Sequence, residues 1–185
     1  MGKEQNFNFG SALVGAAVAT ATTLIISAKP RDPTFHIICI ELNSFKLNFP
    51  LLDTELTLTV HVTNPNIVPI HYSETEMSIF YAGSLLGSAP VQAGSQPARS
   101  CQMLRLQARL SGLELAHNVK KFLSDVARRE MVLDSKVDIR GVAKLLWWEH
   151  KFKVHVDSHV IVDPVFLDVI DQENDSHLEV FATDE

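Results

Sequence analysis

His155, Asp157 and His159 stand at alternate positions of one extended run, which puts the side-chain types that bind metals or move protons on a single face. The spacing counts against a shared metal. Four residues of strand separate the two imidazoles by about 13 Å, too far for one coordination sphere unless the chain turns at Asp157-Ser158. Exposed strand histidines are the simpler reading. His61 and His71 flank an Asn64-Pro65-Asn66 loop, where a hairpin would bring them face to face, but two histidines without a third ligand make a poor metal site. The chain has no Gly-x-Ser-x-Gly elbow, phosphate loop or zinc-protease helix, and no serine stands beside a base and an orienting acid. Cys39 and Cys101 lie far apart in strand-like runs and outside any CxxC pattern. They read as buried thiols, with a single bridge as the alternative outside the cytosol. The chemistry expected is therefore binding, with no enzyme activity, no cofactor and no metal.

Two features suit binding. Trp147 and Trp148 are adjacent, so a strand sends them to opposite faces, one into the core and one toward solvent, a helix or a partner. With Lys144, Lys151 and Lys153, the outward ring would make a cationic-aromatic surface for lipid headgroups or a protein, although alternating lysines also protect an ordinary edge strand. The loop from Asn64 to His71 is the second feature. The candidate contact residues are thus Asn64, Pro65, Asn66, His71, Trp148, Lys151 and Lys153. Asn174-Asp175-Ser176 matches a glycan acceptor, which matters if that part of the chain is lumenal or extracellular.

These residues need a scaffold, and the pattern that supplies it is period two. Leu56, Leu58, Val60 and Val62 alternate with Glu55, Thr57, Thr59, His61 and Thr63, which predicts a half-buried strand over Thr54 to Thr63. Asn64-Pro65-Asn66 ends it, because Pro65 has no N–H for a ladder and holds Asn64 extended. Similar runs cover Phe35 to Asn48, Ser73 to Tyr81, Leu85 to Val91, Gln102 to Leu110, Met131 to Ala143 and Trp147 to Val162. About seven antiparallel strands separated by Gly, Pro, Asn and Ser turns predict a mainly β immunoglobulin-like sandwich. From His117 to Glu130 the period changes: Val119, Phe122, Leu123, Val126 and Ala127 recur at three- and four-residue steps. That predicts one amphipathic helix capped by Asn118, finishing on Arg128 and Arg129, and lying as a lid on the sandwich.

The ends are different in kind. Residues 10–28, GSALVGAAVATATTLIISA, carry no charge and would span about 29 Å as a helix, just enough for a bilayer core. The basic KPR after them favours an uncleaved membrane anchor over a secretory signal. Between Asp168 and Glu185 there are seven acids and neither Lys nor Arg, which reads as a solvated tail. The division expected is a short polar tail (1–9), the anchor (10–28), the β domain (29–165) and an acidic tail (166–185). A net charge of −6 argues against nucleic acid as a partner.

The anchor, KPRDPTF, the strand LTLTVHVTNPNIVPIHY over Leu56 to Tyr72 and the late helix follow one another in an order that resembles the plant late embryogenesis abundant group-two family. This family overlaps with the harpin-induced and non-race-specific-disease-resistance-like proteins and carries the water-stress and hypersensitive-response domain. The resemblance runs from about Lys29 to Pro164, and PRDPTFHIICIELNSFKL resembles the family's first strand. It implies a fibronectin-like sandwich with one helix, on a single-pass protein of the plasma membrane or an internal membrane in a plant cell, acting in stress or defence without catalysis. Residues 10–28 are less hydrophobic than the usual anchor, and secretion would follow if they were cleaved. The expected partners are a membrane through residues 10–28 and a protein or lipid at the β domain, with no oligomeric state specified. Two other functions compete: a lipid-binding or lipid-transfer module gated by the helix, and a desiccation protectant. The alternating apolar strands oppose the last, since disordered protectants have too little apolar surface to fold.

Overall fold

The computed structural model describes residues 31–48, 51–112, 117–145 and 148–181. The segments 1–9 and 10–28, and Trp147, lie outside them. Among the described residues no helix is long and apolar enough to cross a membrane.

Among the described residues ten strands form one antiparallel sheet: β1 (Thr34–Asn48), β2 (Leu51–Asn64), β3 (Ile70–Tyr72), β4 (Thr75–Tyr81), β5 (Ser84–Val91), β6 (Gly94–Gln96), β7 (Ser100–Ser111), β8 (Met131–Leu145), β9 (Trp148–Val162) and β10 (Val169–Phe181). Helix α1 (Val119–Arg128) lies between β7 and β8 in sequence. The sheet runs β1-β2-β7-β5-β4-β8-β9-β10, with β3 sharing the β4 edge of β8 and β6 beyond it. It curls into a half-barrel, so the seven-strand sandwich is replaced by a continuous sheet. The joints explain the difference. β5 meets β7 only at Gly87↔Leu110 and Ser88↔Arg109, and β4 meets β8 only over Ser78–Phe80. These short ladders let the sheet turn a corner without breaking. At the first, a Cβ on Gly87 would collide with the Arg109 carbonyl, so glycine is what lets the backbones approach.

The core follows the alternation of β2. Leu56, Leu58, Val60 and Val62 are buried together with Met77, Ile79, Ala89, Val91, Leu106 and Ala108. A second cluster, Tyr81, Leu86, Met131, Val160 and Val162, lies toward α1 and receives Phe122. A third, Ile139, Phe152, Val154 and Val156, sits farther along β8 and β9.

α1 is shorter than the run His117 to Glu130. Asn118 occupies the N-cap position without a side-chain cap bond, and its carbonyl accepts from Phe122 N–H. The helix stops at Arg129, which adopts a left-handed φ of 59°, with its N–H and that of Glu130 donating to Val126 and Asp125. Two polar clamps fix it to the sheet: Tyr81 Oη donates to Asp125 at 2.8 Å, and Arg129 pairs with Asp163 at 2.8 Å. Burial and the Asp125 carboxylate together hold the Tyr81 phenol far above its ordinary range, so it stays a donor.

The acidic tail needs correction. Val169–Phe181 is a full strand rather than a solvated end. Two of its acids fall opposite basic residues of β9, Glu173↔His159 and Glu179↔Lys153, while Asp175 lies opposite Asp157, so the strand forms with only part of its charge offset. Gln172 and Asn174 then join the two ends of the half-barrel: Ile37 N–H donates to Gln172 Oε1 at 2.9 Å, and Asn174 Nδ2 donates to the Phe35 carbonyl at 2.6 Å. Side-chain amides thus satisfy the edge of β1 where no ladder does.

Cys39 and Cys101 are also placed differently from expectation. Both are free thiols at exposed positions, on β1 and β7 on either side of β2. Their registers, Cys39↔Thr59 and Cys101↔Thr63, set them four residues apart along β2.

Candidate binding groove

β8 changes neighbours along its length. It pairs with β4 at Asp134–Lys136 and with β3 at Gly141–Ala143. Between these ladders Ser73 carries the connection, its N–H and Oγ both donating to the Arg140 carbonyl at 2.9 and 3.0 Å, while Thr75 Oγ1 donates to the Asp138 carbonyl at 2.8 Å. A groove of about 640 Å³ opens at this switch, lined by His71, Tyr72, Arg140, Val142, Lys151, Phe152, Lys153 and Phe181 among others. Register explains the grouping. His71, Val142, Lys151 and Phe181 form one cross-strand row, and Arg140 pairs with Lys153 two residues along, on the same face.

Gly141 shapes the floor. A Cβ there would collide with the His71 carbonyl and the Phe152 ring, so a bare backbone is needed for β3 to close on β8. Gly141→Ala is expected to destabilise the protein by about 2 kcal/mol through overpacking, seen as a lower urea midpoint at unchanged slope.

Electrostatically the groove is basic. Lys153 pairs with Asp138 at 3.1 Å, whereas Arg140 and Lys151 have no ion-pair partner among the described residues. At the rim, Lys144, 2.7 Å away, and more weakly His71 hold the Glu149 carboxyl below its usual range. Burial raises the Tyr72 phenol above its ordinary range. Fixed cations beside the half-exposed Phe181 suit a ligand with an anionic group and an apolar part.

The outer face of β8 and β9 continues as a ladder of charges. His155 Nδ1 lies 2.6 Å from Asp138 and its Nε2 lies 3.2 Å from Asp157, while His159 Nδ1 lies 2.8 Å from Asp134. The hydrogen bond to Asp138 raises the His155 pKa, burial opposes it, and the Asp157 charge adds to it. The same bond lowers Asp138. The signs fix a window. The histidine contribution is complete below about pH 6.5 and is lost as pH rises through the raised folded value; the Asp138 contribution is complete above about pH 4 and is lost on acidification. The stability gap between the protein and His155→Gln is therefore expected to peak between these values and to shrink above them, as urea midpoints across pH would show.

The sequence-predicted contacts divide. His71, Lys151 and Lys153 come together in the groove. Asn64 does not belong there, because it is fully buried: its Nδ2 donates to the Val68 and Pro97 carbonyls, and its Oδ1 accepts from Asn66 N–H, all at 3.0 Å. Pro65 and Asn66 lie in the loop it holds. Trp148 opens β9 opposite Leu145, and its side chain is outside the described residues. His61 does not face His71: β2 pairs with β1 and β7, whereas β3 pairs with β6 and β8. The Asn174 amide nitrogen, where a glycan would attach, is spent on β1. Sequence reasoning missed Arg140 and Phe181. Gly141, isolated inside a strand pattern, was the available signal of a close backbone approach beside Arg140.

The family model described as late embryogenesis abundant protein, LEA_2, matches residues 59–160, more than half of the chain, from the middle of β2 to near the end of β9. The chain belongs to the late embryogenesis abundant family. All the groove residues except Phe181 fall within the matched range. Comparison with curated proteins gave no match. Among solved structures, an Arabidopsis thaliana protein is similar at 18% identity and a TM-score of 0.41, covering 82% of both chains. A late embryogenesis abundant protein, also from Arabidopsis, is similar at 12% identity and a TM-score of 0.31, covering 98% of this chain and 94% of its own. A protein from Archaeoglobus fulgidus is similar at 14% identity and a TM-score of 0.35, covering 81% of this chain and 99% of its own.

Proposed function

We propose that this late embryogenesis abundant protein is a non-catalytic binding domain of the stress and defence type, held at a plant membrane through the uncharged apolar run of residues 10–28. Its groove between β3 and β8–β10 receives an acidic protein segment carrying an aromatic or aliphatic anchor. The observation that carries this reading is the pair Arg140 and Lys151, cations without ion-pair partners among the described residues, on the same outer face as the half-exposed Phe181. Family membership supports the stress-related role. The lipid-carrier alternative has less support, because the space beneath α1 is filled by Tyr81, Leu86, Met131, Val160 and Val162, all buried. Titrating the full chain with fluorescent acidic peptides, with and without a central Phe, tests the reading. Binding should need both acid and ring and should weaken with salt. Equal binding of a neutral peptide, or capture by vesicles through the same groove residues, would reject it.

A further inference from the structure

We propose that the end of the half-barrel roofed by α1 is a second contact surface, one that settles on an anionic lipid bilayer. Two apolar projections mark it. Val119 and Leu123, 47% and 61% exposed, stand one turn apart on α1, with exposed Ala127 continuing the stripe. In the β9–β10 turn Val165 and Phe166 are 54% and 63% exposed. That turn is built rather than loose. Buried Asp163 accepts the N–H groups of Val165 and Phe166 on Oδ1 at 2.8 and 3.2 Å, its carbonyl accepts from Leu167 N–H, and Leu167 takes a left-handed φ of 59°. Arg129 ties the two projections together, pairing with Asp163 and lying 4.3 Å over the Phe166 ring.

Charge selects the occupant. In a chain of net charge −6, α1 and its C-cap carry Lys120, Lys121, Arg128 and Arg129 against Asp125 alone. Asp125 takes Lys121 at 2.7 Å and Asp163 takes Arg129, which leaves Lys120 and Arg128 exposed and without ion-pair partners among the described residues. Outward cations beside an apolar stripe and a fixed aromatic ring are the arrangement that partitions into an anionic interface. An acidic protein face would meet the cations, but it would not need a phenylalanine held out from a rigid turn. The groove lies roughly 35 Å away along β8, so the two surfaces act independently.

The test must separate this contact from any anchoring by residues 10–28. Full-length chain with Cys39→Ser and Cys101→Ser receives a nitroxide at Leu123→Cys or, separately, at Phe166→Cys. It is reconstituted in phosphatidylcholine vesicles with and without phosphatidylserine, and Arg105→Cys on the exposed side of β7 serves as the aqueous control. The expected result is a shift of both labels from nickel-accessible to oxygen-accessible collision in the phosphatidylserine vesicles only, with no shift at position 105. Lys120→Glu with Arg128→Glu should abolish the shift. Labels that stay aqueous, that bury equally in neutral vesicles, or that broaden through label–label contact between two copies would each overturn the proposal.

Discussion

Asn64→Leu, at the buried end of β2, is expected to cost about 4 kcal/mol of folding stability. The side chain has no exposed area and makes three hydrogen bonds, to the Val68 and Pro97 carbonyls and from Asn66 N–H. Leucine fills a similar volume but strands all three backbone groups, each of which costs about 1–3 kcal/mol when buried without a partner. Gln96 nearby compounds the effect. It is buried too, with Nε2 donating to the Val62 and Ser100 carbonyls at 3.0 Å, so the two amides together support the chain where β2 leaves the sheet. Urea denaturation of the two proteins gives the difference directly. A loss below about 1 kcal/mol would mean that the loop keeps its shape without this amide.

Reversing both groove cations, Arg140→Glu with Lys151→Glu, is expected to weaken binding of an acidic, phenylalanine-bearing peptide by more than about tenfold, or about 1.4 kcal/mol. Both side chains sit on the outer face, so stability should change little. Lys136→Glu is the informative control, since it also reverses an exposed β8 cation but does so on the ladder with Asp157, outside the groove. Equal weakening by the control would reduce the groove to an effect of net charge.

Much of the scaffold was legible because one periodicity dominates. The β2 alternation identified four core residues by their positions, and the change to three- and four-residue steps located α1. What stayed hidden depends on pairing at a distance. Nothing local announces that β5 joins β7 over two residue pairs, so strands that read as two layers form a single curled sheet. Glu173 and Glu179 of β10 look like part of a tail until they are set against His159 and Lys153, and the polar Gln172 and Asn174 look like loop residues until they meet the open edge of β1. The groove was half visible. Lys151 and Lys153 alternate in sequence, but Arg140 and Phe181 reach them only through the β8 and β10 registers. Asn64 shows the converse, a residue whose type and loop position suggested contact but whose burial makes it a support.

The most direct test of the groove is to map where a partner lies. An acidic peptide with a benzophenone in place of its central ring would be bound to the full chain, irradiated and digested. Adducts are expected on His71, Val142 and Phe181, which share one cross-strand row, and they should disappear with Arg140→Glu and Lys151→Glu. Adducts concentrated on α1 or on the exposed side of β7, or surviving the charge reversal, would contradict the assignment of the groove as the binding surface.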